Sequence, residues 1–125
     1  MYRPPLKANW TLEKSPIILA VDTATESCSA ACLTDDHVHE RSVIDPQGHS
    51  RFLLPMIEEV LREADISKNA LYAVVYDAGP GSFTGIRIGA GVAQGIALAL
   101  NKPMLSISSL MILAEGIRDQ IKPSD

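Results

Sequence analysis

Apolar residues in the first third of the chain follow strand-like patterns. The unbroken apolar run of residues 17–22 ends in Asp22, which is typical of a strand covered on both faces at the centre of a sheet. Residues 28–34 and 38–44 predict two more strands, and the polar pair Asp35-Asp36 between them suits a tight hairpin connection. Three antiparallel strands therefore open the predicted fold.

The apolar pattern then changes to helical spacing. After the turn-forming residues 45–48, apolar residues recur at the spacing of an amphipathic helix, which we predict over residues 50–65. If Ser50 caps this helix, Pro55 lies too deep for the favoured first helical position. The helix is therefore expected either to start late or to bend at Pro55.

Strands and helices alternate in the rest of the chain. Residues 72–76 predict a fourth strand, which Gly79-Pro80-Gly81 breaks before a long helix over residues 82–100. Residues 103–107 predict a short fifth strand. Residues 110–121 are again apolar at helical spacing, with Ser108 or Ser109 as the cap.

The predicted order of elements is β-β-β-α-β-α-β-α. Hairpins make the first three strands antiparallel, whereas the later strands follow helical crossovers and must be added in parallel. This order is typical of a ribonuclease H-like α/β lobe with a five-stranded mixed sheet. Residues 1–15 carry prolines and scattered charge without periodicity, so we interpret them as a flexible tail or a leader.

Charge and hydropathy narrow the classes of partner. The 125 residues include 11 Lys or Arg and 15 Asp or Glu, a net charge of -4, which argues against nucleic-acid binding by this chain alone. The unbroken apolar runs, such as residues 17–21, are all too short to span a membrane, and the N-terminus lacks the apolar run of a signal peptide. We therefore expect a cytoplasmic protein without a membrane partner, which meets nucleic acid only through another subunit.

The cysteines and histidines give little support for a metal site. Cys28 and Cys32 lie four positions apart on one predicted strand, too far apart for a disulfide, and we expect buried thiols. A zinc site would need two more ligands, for which His37 and His39 on the next strand are the candidates. With His49 as the remaining histidine, the chain has no H-x-x-x-H or H-E-x-x-H pair, so we predict no metal and disfavour a metalloenzyme.

The glycine-rich junction at residues 79–89 is the most specific stretch of the chain. It satisfies neither the dinucleotide-binding fingerprint, nor the Walker phosphate loop, nor the hydrolase nucleophile elbow. Ser82 is therefore expected to cap the following helix rather than to act as a nucleophile. The free N–H groups at that helix start, near Gly81 and Ser82, are candidates for contact with an anion, with a simple glycine turn as the alternative.

The long helix carries two stripes of small residues. Its four glycines cost roughly 4 kcal/mol against alanine, which only close packing can offset. Each stripe leaves a groove into which another backbone can come close. We expect one groove to pack inside the lobe and the other to receive a partner, with two internal grooves as the alternative. Gly89→Leu is predicted to abolish pairing without unfolding the chain. The first stripe consists of Gly85, Gly89, Ala93 and Ala97, and the second consists of Gly91, Gly95 and Ala99.

Two polar clusters complete the candidates. Asp22, Thr23 and Thr25 follow the central strand, where a carboxylate and hydroxyls suit contacts with magnesium or phosphate. The alternative is a turn whose side chains bond to their own backbone. Glu59 and Glu63, together with Glu58, form an acidic patch on the first helix, which is either a solvated face or a docking surface.

Three segments together resemble the TsaB family, also called YeaZ. They are residues 18–25, residues 49–55 and the glycine-rich residues 79–89, and the resemblance covers roughly residues 16–118. It implies the N-terminal lobe of an actin-like ATPase fold, which we assign to residues 16–125, with the family's second lobe absent. Asp77-Ala78, where family members often have a small or basic residue, departs from the family pattern.

The resemblance also implies a function. Family members act with a catalytic TsaD-type paralogue and a TsaE-type ATPase in making N6-threonylcarbamoyladenosine at position 37 of tRNAs that read ANN codons. This chain is then expected to be a non-catalytic scaffold that requires no cofactor itself, while the complex uses ATP and magnesium. An actin-like phosphotransferase lobe using Asp22 for magnesium is the alternative, and a metalloprotease-like activity is disfavoured.

The same resemblance implies where partners bind. The family's two helices, here residues 50–65 and 82–100, pair with those of the TsaD-type paralogue, or with those of a second copy in a homodimer. The candidate partner-binding residues are Met56, Glu59, Glu63, Gly85, Gly89 and Ala93.

Overall fold

The chain forms a five-stranded mixed sheet with two long helices. The computed structural model describes residues 16–35, 37–44 and 49–108. Within these residues, the order of strands and helices agrees with the order that the sequence predicts. The strands are β1 (Ile18–Asp22), β2 (Ser27–Leu33), β3 (Val38–Ile44), β4 (Ala73–Asp77) and β5 (Met104–Ile107), and the helices are α1 (His49–Ala64) and α2 (Phe83–Leu100).

The connections between strands explain the topology of the sheet. Its order is β3-β2-β1-β4-β5, with β1 at the centre as predicted. The short links pair β1 with β2 and β2 with β3 in antiparallel fashion, whereas the crossovers through α1 and α2 make β4 parallel to β1 and β5 parallel to β4. The carboxyl ends of β1 and β4 therefore meet at one edge of the sheet.

Both helices cover the same face of the sheet. Alternate residues of the central strands point to this face, where Leu19 lies opposite Cys32 on β2 and Val74 on β4. All three side chains are fully buried. Helix α1 packs mainly on β2 and β3, and α2 packs mainly on β4. The helices contribute Leu53, Ile57, Val60, Leu61, Ala93 and Ala97 to this core.

The bounds of helix α1 exclude one of the two structures expected around Pro55. The helix begins at His49 and continues to Ala64 with Pro55 inside it, so a late start is wrong. Pro55 is exposed, on the side of the helix away from the core. The turn predicted at residues 45–48, the tail at 1–15 and the helix at 110–121 lie outside the described residues.

Helix α2 has well-defined ends. The hydroxyl of Ser82 accepts a hydrogen bond from the Gly85 N–H at 3.1 Å, which confirms Ser82 as the N-cap. At the other end Asn101 adopts the left-handed conformation, and its N–H bonds to the carbonyls of Ala97 and Leu98. Asn101 therefore ends the helix in the way that glycine often does.

Helix α2 is also the one described helix that is long and apolar enough to cross a membrane, with 22% of its residues buried. The length of unbroken apolar runs does not identify this helix as a candidate span, because Thr84, Arg87 and Gln94 interrupt its apolar residues. Core helices of soluble proteins meet the same criterion of length and hydropathy, so one such helix is weak evidence for a membrane span.

Candidate functional site

The residues after β1 form a turn that holds the start of α2. The Asp22 carboxylate accepts a hydrogen bond from the Ala24 N–H at 3.0 Å, and the Thr25 hydroxyl accepts one from the Ser27 N–H at 3.1 Å. These are the contacts of a turn stabilised by its own side chains, the alternative that the sequence left open. Asp22 remains partly exposed and Thr25 is exposed, so both stay candidates for contact with a nucleotide or an anion.

Thr23 has a different role from the one predicted. Its side chain is 1% exposed, and its hydroxyl donates a hydrogen bond to the Gly85 carbonyl at 2.5 Å. This bond links β1 to the first turn of α2 across 62 positions of sequence. Thr23 is therefore a packing residue, and its assignment to a nucleotide or anion site is corrected.

The glycine-rich turn brings α2 onto the end of β1. A side chain at Gly81 would clash with the backbone carbonyl and the Cβ of Ala24. The Ser82 N–H donates to this same Ala24 carbonyl at 2.6 Å. Glycine is thus needed at position 81 for close approach. Gly81 and Ser82 are exposed, but the Ser82 N–H and hydroxyl already have partners within the chain.

A second carboxylate lies beside Asp22 at the carboxyl edge of the sheet. Asp77 ends β4, next to β1, and is 5% exposed. Its carboxylate accepts a hydrogen bond from the Gly79 N–H at 2.9 Å. Both carboxylates line a cavity of about 240 Å³ on the face of the sheet away from α1 and α2, floored by Ala20, Ala31 and Val75. The sequence signal for Asp77 is a carboxylate at the end of a second parallel strand.

The first small-residue stripe of α2 is internal. Gly85, Gly89 and Ala93 are buried, together with Ala97. A Cβ at Gly89 would overlap the Thr23 hydroxyl. This stripe therefore packs on the sheet, which corrects the assignment of these three residues to a partner. It also makes Gly89→Leu a change to the core, so we now expect this variant to destabilise the fold.

The second stripe of α2 is open. Gly91 and Gly95 are exposed, and apart from the adjoining backbone of α2 itself no atom lies within 4 Å of where their Cβ would be. Leu98 stands on the same side of the helix with 73% of its surface exposed. Gly91, Gly95 and Leu98 form what we call the open face of α2: two flat positions and one protruding apolar side chain.

A groove runs between α1 and the open face of α2. It encloses a cavity of about 190 Å³. Leu54, which is 52% exposed, lines its α1 side, and Gly95 and Ala99 line its α2 side. Ile57, Leu61 and Ile96 also line it, so the groove is mainly apolar. Sequence reasoning missed Leu54 and Leu98, because a single exposed leucine cannot be told from a core leucine by periodicity alone.

The acidic residues of α1 have partners within the chain. Arg41 on β3 forms ion pairs with both Glu59 and Glu63, and Lys68 pairs with Glu58 at 2.8 Å. Met56 is 7% exposed and belongs to the core, so its assignment to a partner surface is corrected. Glu59 and Glu63 are exposed but are held toward β3 by Arg41, at the far side of the sheet from α2.

The described residues contain no group of three or more His, Cys, Asp and Glu side chains placed to hold a metal ion. Cys28 and Cys32 are free and buried, as predicted. Burial raises the pKa of both thiols, and Asp22 raises that of Cys28 further. Both thiols therefore stay protonated and are poor metal ligands.

Comparisons with known proteins identify relatives of the chain. Residues 43–124 match the family model described as TsaD, tRNA N6-adenosine threonylcarbamoyltransferase. The chain is 46% identical over 99 residues to the tRNA threonylcarbamoyladenosine biosynthesis protein TsaB of Escherichia coli K12, covering 79% of this chain and 43% of that protein. It is also 42% identical over 64 residues to the tRNA N6-adenosine threonylcarbamoyltransferase of Legionella pneumophila, covering 51% of this chain and 19% of that protein.

A solved structure has the same fold. YeaZ from Pseudomonas aeruginosa superposes with a TM-score of 0.80 at 41% sequence identity, covering 84% of this chain and 49% of that one. The chain thus spans somewhat less than half the length of the E. coli TsaB protein and about half that of the YeaZ structure. The match confirms the actin-like α/β lobe that the resemblance implies.

Proposed function

The chain belongs to the TsaB (YeaZ) family, and on this premise we propose that it acts in the biosynthesis of threonylcarbamoyladenosine in tRNA. Its role there is that of a non-catalytic scaffold for a TsaD-type transferase, which carries the chemistry. A relative that is named for this pathway shares 46% of its residues over the aligned region.

The observation that carries the proposal is the apolar groove beside the open face of α2. Gly91 and Gly95 let a second helix come close, while Leu54 and Leu98 supply apolar surface on either side. The two corresponding helices of a related lobe fit such a surface, because a lobe with the same fold presents them in the same arrangement. The similarity to a transferase over 64 residues supports a paralogue as that partner, and a second copy of this chain can use the same surface.

The charge of the chain supports an indirect contact with tRNA. A net charge of -4 argues against a broad cationic surface for phosphates, and two of the cationic residues, Arg41 and Lys68, are paired with carboxylates. The tRNA is bound by other subunits of the assembly, which works in the cytoplasm without a membrane. The chain itself needs no cofactor, and the complex uses ATP and magnesium with a TsaE-type ATPase.

The test mixes the purified chain with a cognate TsaD-type transferase. We expect a complex by light scattering and stimulated threonylcarbamoylation of tRNA in the presence of the remaining subunits. Gly95→Leu is expected to weaken the complex at least tenfold, since it fills the groove at an open position. Ser42→Leu adds the same side chain to the exposed side of β3 and is the matched control. Failure of the unmodified chain to form a complex or to stimulate modification would refute the proposal.

A phosphotransferase lobe is the second candidate function, and Asp22 is the observation that favours it. Its carboxylate lies at the carboxyl end of the central strand, beside Asp77, where α/β folds place ligands. Calorimetry with magnesium and ATP separates the two candidates. Micromolar binding by the chain alone, lost in Asp22→Asn, would favour the phosphotransferase, whereas absence of binding favours the scaffold.

A further inference from the structure

Two histidines share one face at the sheet edge, outside the surfaces already described. His37 precedes β3 and His39 lies within it, so the strand repeat of two places both side chains on the same side. Their ring centroids are 4.8 Å apart and their planes are tilted by 31°. The Nδ1 atom of His39 is buried and has no hydrogen-bond partner. This arrangement leaves a ring nitrogen without a hydrogen-bond partner beside a second imidazole.

The spacing of the rings suits a shared metal ion. A histidine nitrogen lies roughly 2.0–2.1 Å from a bound transition metal, which places the ring centroid about 3.2 Å from the ion. Two imidazoles at tetrahedral or square-planar angles on one ion therefore have centroids roughly 4.5–5.2 Å apart. The observed 4.8 Å lies inside this range. Rotation about χ2, a soft torsion in histidine, is enough to point one nitrogen of each ring at a common position.

The surroundings do not oppose a cation. Arg41 is the nearest cationic residue along the same face of β3, but its guanidinium is engaged by Glu59 and Glu63. Cys32 lies directly opposite His39 in the register, but its side chain is fully buried in the hydrophobic core. Two imidazoles are thus the protein ligands, and water supplies the remaining positions.

We propose that His37 and His39 form an open chelate for a divalent transition-metal ion of the copper, nickel and zinc group. Imidazole nitrogen is a preferred ligand of these metals, whereas magnesium and calcium select oxygen. The site is remote from the carboxylates at the end of β1 and from the groove beside α2. It binds metal independently of the scaffold role.

The test titrates the untagged 125-residue chain with Cu²⁺ and with Ni²⁺ by calorimetry, and records the electron paramagnetic resonance spectrum of the Cu²⁺ form. We expect one ion per chain, Cu²⁺ bound more tightly than Ni²⁺, and coupling to two nitrogens. His37→Gln is expected to lower the affinity for the metal at least tenfold. Mutation of residues that only hydrogen-bond to metal ligands already lowers affinity about 10–100-fold, and loss of a ligand should cost no less. His37 is exposed, so this variant is expected to fold.

His49→Gln is the matched control, because it removes the one histidine outside the pair. Retained binding in this variant together with loss in His37→Gln and His39→Gln supports the chelate. Unchanged binding in His37→Gln overturns it. An equal loss in all three variants also overturns it, since that result indicates unspecific binding to imidazoles. Circular dichroism of each variant checks the fold, and His37→Gln decides the question if His39→Gln unfolds.

Discussion

The two faces of α2 carry the same residue types at the same spacing, but their environments are opposite. Gly85 and Gly89 face β1, where the Thr23 hydroxyl occupies the space that a side chain at Gly89 would fill. Gly91 and Gly95 face outward, and nothing lies within 4 Å of their missing Cβ atoms. One face is a completed packing contact, and the other is open and is where we propose that a partner packs.

The difference shows that glycine can occur in a helix for two unrelated reasons. On the inner face, glycine permits a hydrogen bond between the Thr23 side chain and the Gly85 carbonyl, which fixes α2 on the sheet. On the outer face, glycine brings no benefit to the isolated chain and costs roughly 1 kcal/mol per residue relative to alanine. In the proposed scaffold role, that cost is offset when a partner packs against the open face. Substitutions on the two faces should therefore have opposite effects on stability.

Gly89→Leu should have the largest effect, on the inner face. The new side chain overlaps Thr23 in a closely packed contact, so we expect the free energy of unfolding to fall by about 3 kcal/mol or more. Urea denaturation followed by circular dichroism measures this. Gly91→Leu is the matched control and should change stability little, because its side chain points into solvent. Equal destabilisation by the two variants would contradict the assignment of the faces.

The sequence predicted the fold well because its signals are local. Strand and helix periodicity, the break at Gly79-Pro80-Gly81 and the Ser82 cap each depend on a few neighbouring residues. The two stripes of α2 were also visible as a repeat of four. Which stripe packs inside the lobe depends on Thr23, 62 positions before Gly85, and no local pattern contains that information.

The candidate site was less predictable for the same reason. Thr23 has the residue type of a phosphate ligand, but its neighbour on α2 makes it a buried packing residue. Glu59 and Glu63 resemble a docking patch on the helix, but Arg41 on another element pairs with both. In each case the residue type indicates several roles, and a contact distant in sequence decides among them.

Thr23→Val tests the inner contact without changing its shape. Valine keeps the branched side chain and removes the hydroxyl that donates to the Gly85 carbonyl, so we expect a loss of about 1–2 kcal/mol. Thr84→Val makes the same chemical change at an exposed position of α2 and should have little effect. Chemical denaturation compares the two. If both variants were as stable as the unmodified chain, the hydroxyl would not be what holds α2 to β1.

Ser82→Ala separates the formation of α2 from the packing of its faces. It removes the hydroxyl that accepts from the Gly85 N–H, and loss of an N-cap typically costs about 1 kcal/mol. Ser82→Asp should restore most of this loss, because aspartate caps equally well and its charge suits the helix start. Thermal denaturation of the three chains measures the difference. A loss that aspartate fails to restore would indicate that Ser82 acts through another contact.

Gly91→Ala and Gly95→Ala should have the smallest effect and the opposite sign. Each adds a methyl group in open space and removes the conformational cost of glycine, so we expect each to raise the free energy of unfolding by up to about 1 kcal/mol. Gly89→Ala, on the inner face, gains the same propensity but meets the Thr23 hydroxyl, and should not be stabilised. The same variants then address the partner. If the isolated chain becomes more stable while its affinity for the transferase falls, the outer glycines exist for a contact that the chain makes only in a complex. If stability and affinity rise together, the open face lies outside the interface and the partner must bind elsewhere.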